Sequence, residues 1–290
     1  MGKKMKGGET RRKISRRQFL ALTGLAAAGG ISAASGYLYT HNEADQPLVE
    51  RIRLPIRGLN PALAGFRLAV LADFHLYPFT QPELIKKAVT MTNALEPDLT
   101  VLLGDYVWHE VEAIYDLAPI LSGLNARYGV FAAAGNHDYW TDIGVISQEM
   151  KKAGLPLFVN QGIPIAVGDG ELFLGMLDDG WSGRPDLPAT MENLRPGATA
   201  VLVCHEPDLA DKHAADERIS LQLSGHSHGG QIRFPRVGAL ILPYLAWKYD
   251  MGLYRVKDMW LYTNRGLGVT NEPVRFNCPP EITEITLTPA

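Results

Sequence analysis

His226 and His228 are separated by one serine, follow a short apolar run and are enclosed by Gly225, Gly229 and Gly230. Imidazole is the commonest side-chain metal ligand, and glycine lets the main chain turn tightly enough for two rings to approach something small and charged. Alone, the pair reads equally well as an exposed polar loop. Four further blocks shift the balance: Asp73 with His75, Gly104-Asp105, Gly135-Asn136-His137-Asp138, and Cys204-His205-Glu206. Taken singly each has an ordinary structural reading, since Gly-Asp is a common turn and a lone histidine after a strand is usually a satisfied core residue. Together they gather five of the eight histidines, with carboxylates and an amide, at the ends of apolar runs.

Those runs are the elements that must position the blocks. A first strand is expected at 48–56, followed by strands at 66–72, 99–103, 129–134, 172–176, 199–204 and 221–224. Continuous apolar runs of this length suit strands buried on both faces. Helical patterns lie between them at 82–95, 111–124, 143–153 and 208–215. Such alternation predicts an α/β architecture with helices covering the sheet. Every block then falls at the carboxyl end of a strand, the edge where open α/β sheets place their ligands. After Gln231 the helical pattern fades, and short strands at 231–234, 252–256, 259–263 and 281–287 suggest a second, more antiparallel sheet.

At 290 residues and 46% hydrophobic, the chain can bury a sizeable core. Its charge is uneven. The first 40 residues carry eight Lys/Arg against Glu9, which leaves 20 basic and 30 acidic residues beyond them, a formal −10. An acidic body lacks the basic footprint of a nucleic-acid binder. The segment 19–39 has no charged residue and follows Arg16-Arg17-Gln18-Phe19-Leu20. A basic head before a small-residue apolar stretch is an export signal, and the paired arginines resemble a twin-arginine leader. The expected organisation is a leader over 1–40 and one globular domain over 41–290. An ordinary secretory signal, or an uncleaved anchor of about bilayer-spanning length, stays open. Cys204 and Cys278 form no framework; Cys204 reads as a small buried side chain, and a disulfide between them is permitted but not required.

The ordered blocks resemble the calcineurin-like metallophosphoesterase superfamily, with its D-x-H, G-D, G-N-H-D, single H and G-H-x-H motifs. The resemblance covers 66–287, nearly all of the body, and is nearest to exported bacterial members with a twin-arginine leader. Asp138-Tyr139-Trp140, the Gly-Gly-Gln after His228, and the stretches 264–268 and 279–281 support it. Phe74, and the Tyr-Pro pair after Leu76, depart from the usual pattern without removing a ligand.

The resemblance implies a four-layer αββα sandwich of two mixed sheets and two divalent metal ions. Asp73, His75, Asp105 and His228 would hold one ion; Asp105, Asn136, His205 and His226 the other, with Asp105 bridging. Mixed oxygen and nitrogen ligands suit Mn, Fe or Zn. Two such ions roughly 3.5–4 Å apart clamp the phosphoryl oxygens and lower the pKa of bound water towards about 7, so that a bridging hydroxide attacks phosphorus in line. No Ser or Cys stands in a nucleophile motif, and there is no P-loop or dinucleotide fingerprint. His137 is expected to face substrate, stabilising the phosphoryl oxygen or protonating the leaving group, with Asp138 orienting it. Gln231, Asn264 and Arg265 read as substrate contacts or as packing. His109, His41 and His213 read as solvated.

The implied protein is an exported phosphodiesterase of the periplasm, cell wall or outer face of the cytoplasmic membrane, acting on small-molecule, lipid or wall-polymer phosphoesters. Its other expected partners are the twin-arginine translocase and, through 19–39, the membrane; no specific nucleic acid is expected. Two alternatives remain: a lipid pyrophosphatase of the UDP-2,3-diacylglucosamine type, and an inactive metal-binding envelope protein.

Overall fold

Strands β2 (Arg67–Leu71), β3 (Leu99–Leu102) and β4 (Val130–Ala132) lie side by side and parallel, each ending one or two residues short of a chemical block. This is a computed structural model, and it describes residues 35–290 together with Arg16, Thr23, Gly30 and Ser32. Most of the expected leader, its second arginine included, lies outside the described residues. Residues Asn42–Ala290 form one compact unit and Met1–His41 another. Among the described residues no helix is long and apolar enough to cross a membrane.

Two large mixed sheets carry the fold. The first has the order β1-β13-β2-β3-β4, where β1 is Leu48–Ile56 and β13 is Glu281–Pro289. The second runs β11-β12-β8-β7-β6-β5, with β5 (Gln161–Val167), β6 (Gly170–Met176), β7 (Thr199–Val203), β8 (Ile219–Ser224), β11 (Gly252–Val256) and β12 (Met259–Thr263). Side chains alternate across a strand, and both faces of these strands are apolar. Leu68 and Val70 of β2, Leu99 and Val101 of β3, and Ile285 of β13 pack against Leu172, Leu174, Val201, Val203, Leu221 and Leu223 of the second sheet. On the opposite face Leu71, Leu102 and Ile282 meet Ile85 and Ala88 of α1 (Pro82–Asn93), and Ile114, Leu117 and Leu121 of α2 (Ala113–Leu121). The expected sandwich of two facing mixed sheets is therefore present.

Three expectations need correction. Of the late strands only the short antiparallel hairpin of Arg233–Phe234 with Gly238–Ala239 stands as a separate sheet. β11 and β12 extend the second sheet, with β12 parallel to β8, while β13 enters the first sheet between β1 and β2. The helix expected at 208–215 is a 3-10 turn, Pro207–Leu209, leading into a single helical turn, Ala210–His213, so the outer layer over the second sheet is thin. Strand β5 was not expected. It is a half-exposed edge strand, and Gly162 and Pro164 within it obscure its alternation.

Candidate metal centre

The parallel strands of both sheets end at one edge, and the five blocks meet there. Asp73 and His75 follow β2, Asp105 follows β3, Asn136 and His137 open α3 (Asn136–Thr141) after β4, His205 follows β7, and His226 and His228 follow β8. All seven expected metal ligands are buried. Five of them, Asp73, His75, Asp105, His226 and His228, have positive φ, between 41° and 70°. Non-glycine residues there cost of order 1–3 kcal/mol each and persist where the surroundings over-determine them, typically at functional sites. The same backbone means that His226 and His228 do not alternate along an extended segment. Ser227 between them is helical at φ −74°, ψ −25°, and a tight turn aims the two rings.

The acidic and imidazole groups form two sets whose ligand atoms lie within 4.8 Å of one another: Asp73, His75, Asp105 and His228, and Asp105, His205 and His226. Asp105 belongs to both. Its Oδ1 accepts the His137 main-chain N–H at 2.9 Å, which leaves Oδ2 between His75 Nε2 at 3.4 Å and His205 Nε2 at 3.1 Å. Asp73 Oδ1 lies 3.6 Å from His228 Nε2 and 3.8 Å from His205 Nε2, and the carboxylate also accepts the His226 main-chain N–H. Gly225 makes this approach possible, since a Cβ there would sit 2.6 Å from Asp73 Oδ2.

These groups fit a cation. His75 Nε2 and His228 Nε2 face each other at 3.0 Å, and Asn136 Oδ1 and His205 Nε2 are buried without a hydrogen-bond partner. Buried lone pairs left unpartnered are costly and mark a place for a positive charge. Main-chain carbonyls fix two of the rings, as is usual for metal-ligating histidine. His205 Nδ1 donates to Leu103 O at 2.8 Å and His226 Nε2 to Tyr244 O at 2.7 Å, which frees His205 Nε2 and His226 Nδ1 for the centre.

Burial dominates the electrostatics. It pushes the Asp73 carboxyl up to about 6 despite nearby His205. It works against ionised Asp105 too, but His205 and His137 outweigh it and hold Asp105 well below the usual carboxylate range. Burial would discharge His205, yet Asp105 and Asp73 draw its pKa well above normal. His226 and His137 are both lowered to about 4, chiefly by burial, and stay neutral imidazoles. Neutral nitrogen and ionised oxygen are the forms that bind metal.

His137 lies beside the centre, its ring 4.7 Å from that of His75, with its Nδ1 3.2 Å from Trp108 O. Asp138 does not orient it. The Asp138 carboxylate accepts the main-chain N–H groups of Asp105, Tyr106 and Gly135, each at 2.9 Å, and so ties the β3 and β4 loops together. Of the two readings open at Gln231, Asn264 and Arg265, the hydrogen bonds favour packing. Gln231 bonds Thr270 through its amide N–H and its oxygen. Asn264 is fully buried against Thr283 and Gly266. Arg265 is paired with Glu281 and Glu50. Each spends its polar atoms on packing. His213 is buried rather than solvated, with Nδ1 2.9 Å from Gln222 Oε1, whereas His109 and His41 are exposed as expected. Cys204 and Cys278 are free and buried.

Several contributors lie outside the expected ligand and catalytic positions. Trp108, Trp140, Trp181 and Tyr244 ring the centre: Trp140 lies 4.7 Å from both His137 and Trp181, and Trp181 5.8 Å from His226. Glu206 accepts the main-chain N–H groups of Gly180 and Trp181 and so holds the Trp181 loop. Arg275, fully buried, donates to the carbonyls of Arg265, Gly268 and Cys278 and fixes the loop behind Asp73.

Comparison with known proteins agrees with this site. Residues 66–230 match the model of the calcineurin-like phosphoesterase family. The chain is 34% identical over 286 residues to the uncharacterised metallophosphoesterase YkuE of Bacillus subtilis, covering 95% of this chain and 98% of that one. It is 33% identical over 280 residues to the phosphodiesterase YaeI of Escherichia coli, covering 94% and 99% respectively. A 5′-nucleotidase precursor from Thermus thermophilus is among the similar solved structures, with 16% identity and a TM-score of 0.46 over 77% of this chain and 54% of that one. The family match, together with nearly end-to-end similarity to two bacterial relatives, shows that the chain belongs to the calcineurin-like metallophosphoesterases, hydrolases acting on phosphoric esters.

Proposed function

We propose that this hydrolase is a phosphodiesterase working with two divalent cations of the Mn, Fe or Zn class. The observation that carries the two-cation reading is Asp105, whose single oxygen Oδ2 stands between the two ligand sets. The phosphodiester preference is supported by the name of the Escherichia coli relative. When bound, the pair of ions would supply Lewis acidity towards the phosphoryl oxygens and a water acidified towards neutral pH.

The chain's own residues do the rest. Asp73, His75, Asp105 and His228 would hold one cation, and Asp105, Asn136, His205 and His226 the other. Leu103 and Tyr244 carbonyls keep two imidazoles in the binding tautomer. His137, its Nδ1 held by Trp108 O, offers Nε2 to substrate. A phosphodiester anion beside that neutral ring favours its taking up a proton from solvent water, and Nε2 then passes that proton to the leaving oxygen. Trp108 and Trp140 pack about His137 and limit water around it.

The paired arginines before the uncharged segment 19–39 support a leader over 1–40, with export by the twin-arginine route and action at the cell envelope on phosphodiesters of lipids, wall polymers or scavenged nucleotides. The test of the reaction is metal content measured together with turnover across monoesters, diesters and lipid diphosphates. Chelated protein is expected to lose hydrolysis of bis-p-nitrophenyl phosphate and regain it with Mn. Turnover that survives thorough chelation overturns the reading, and preference for a monoester or a lipid diphosphate overturns the diesterase assignment.

A further inference from the structure

An apolar surface borders the metal centre on one side. Residues 232–247 leave the His228 turn, form the hairpin of β9 (Arg233–Phe234) and β10 (Gly238–Ala239), and return along Tyr244 and Trp247. Ile241 is 82% exposed, Leu240 and Val237 67%, and Trp247 66%. Tyr244 continues this surface inward, its ring 5.5 Å from Trp181, which in turn meets Trp140 and His226. One short segment thus exposes several large aliphatic and aromatic side chains, and its Tyr244 reaches the rings of the centre. Soluble proteins rarely expose so many large apolar side chains in one segment without a partner.

The segment is firmly held. A Cβ on Gly230 would lie 2.3 Å from Ala239 Cβ, so the hairpin is seated directly on the metal-binding turn. Arg233 donates to Gly229 O at 2.8 Å and pairs with Asp250 at 2.6 Å. Its charge is distinctive as well. Residues 218–249 contain no Asp or Glu, in a chain that carries −10 beyond residue 40. Arg236 stands at the exposed hairpin turn, and Lys248 at the far end of the segment pairs with Asp211.

We propose that residues 232–247, with Trp140 and Trp181, form a docking face for an anionic lipid surface. Val237, Leu240 and Ile241 would enter the boundary between headgroups and acyl chains, Tyr244 and Trp247 would lie at headgroup level, and Arg236 would meet lipid phosphate. Tyrosine and tryptophan favour that depth, and apolar residues alongside cations are the signature of interfacial binding. A second copy of the chain fits less well. A two-fold contact through this face would bring Arg236 of each copy onto one interface, with no acid in the segment to answer them. Docked this way, the metal centre stands beside a layer of phosphodiester headgroups, which deepens the phosphodiesterase reading; the docking itself is independent of it.

The test uses the full chain carrying Ile241→Cys, labelled with an environment-sensitive fluorophore; Cys204 and Cys278 are buried. A second label, at exposed Tyr115→Cys on α2, reports on attachment through any other part of the chain. With vesicles of phosphatidylcholine containing phosphatidylglycerol, emission at position 241 is expected to shift to the blue and rise several-fold, with no change at 115. Added salt should weaken the response, and Arg236→Gln should raise the half-saturating lipid concentration roughly fivefold. The proposal is overturned by unchanged emission at 241, by equal changes at both positions, or by an equal response to pure phosphatidylcholine. It is also overturned by a lipid-independent shift that grows with protein concentration alongside a dimer in sedimentation velocity. Because the readout is emission, a protein that docks yet hydrolyses no phosphodiester separates this inference from the assigned reaction.

Discussion

Asp105 reaches His205 through one atom, its Oδ2 lying 3.1 Å from His205 Nε2. The other carboxylate oxygen is occupied by the His137 main-chain N–H. A single oxygen therefore serves both ligand sets, and losing its charge should be felt by both. Asp105→Asn is expected to lower metal content at both positions and abolish turnover. His205→Ala should empty one position and leave the other filled. Elemental analysis of the two purified variants checks this, and equal losses in both would contradict the shared role.

His137 touches no group of either ligand set except through packing and its main-chain N–H. Removing its imidazole should leave the metal in place while proton transfer suffers. His137→Ala is expected to retain wild-type metal content and to lose roughly 10²–10⁴-fold in kcat on a diester with a poor leaving group. A much smaller loss is expected on a nitrophenyl ester, whose leaving group needs no proton. Equal losses on both substrates would remove the proton-transfer role.

Asp138 fastens two loops. An asparagine in its place has one acceptor oxygen where three main-chain donors now converge, so at least one buried N–H loses its partner. Asp138→Asn should cost about 1–3 kcal/mol of stability in denaturant melts. Metal retention should fall with it, because the Asp105 N–H is among the three. Unchanged stability would count against this account.

Gly225 lies against Asp73, and a methyl group there has nowhere to go without moving the carboxylate. Gly225→Ala is expected to weaken metal binding by roughly 10–100-fold, the usual effect of disturbing a ligand's support. The second-sheet core should melt nearly as before. Metal titration and thermal unfolding on the same preparation separate the two effects.

The pH dependence follows from Asp73. Burial raises its carboxyl to about 6, so the metal-free fold gains stability from the protonated form. That gain is lost as pH rises through about 6. Metal binding has the opposite slope, because it needs the carboxylate: affinity should climb through the same range with release of a proton. His226, neutral above about 4, adds no slope there. His205, which burial would discharge but Asp105 and Asp73 draw well above its ordinary range, must also release a proton to bind metal and carries the rise to higher pH. Calorimetric titrations in buffers of different ionisation enthalpy read the proton directly; a flat affinity across this range would contradict the assignment.

Much of the site was legible because its ligands fall at the ends of apolar runs, and β2, β3, β7 and β8 followed those runs closely. What escaped was whatever depends on the main chain. The carbonyls of Leu103 and Tyr244 orient two imidazoles, yet a carbonyl has no letter in a sequence. The positive φ of His226 and His228 is equally silent in the sequence. At Asn264 and Arg265 the sequence leaves substrate contact and packing equally open. Only the buried partners Thr283 and Glu281, distant in sequence, reveal them as packing. Trp181 escaped for a similar reason, since its loop is fixed by Glu206 from another strand end.

The place of β13 bears on how the molecule is made. Residues 281–289 are not an appendage: they form an inner strand of the first sheet, parallel to β1 and antiparallel to β2. While a nascent chain emerges from the ribosome, β1 and β2 have no strand between them until those residues are out. Contacts that bridge more than 200 positions close slowly, and domains fold as units once their parts are present. A frameshift or proteolytic cut near residue 280 removes a keystone, and its product is a candidate for degradation rather than a shortened enzyme.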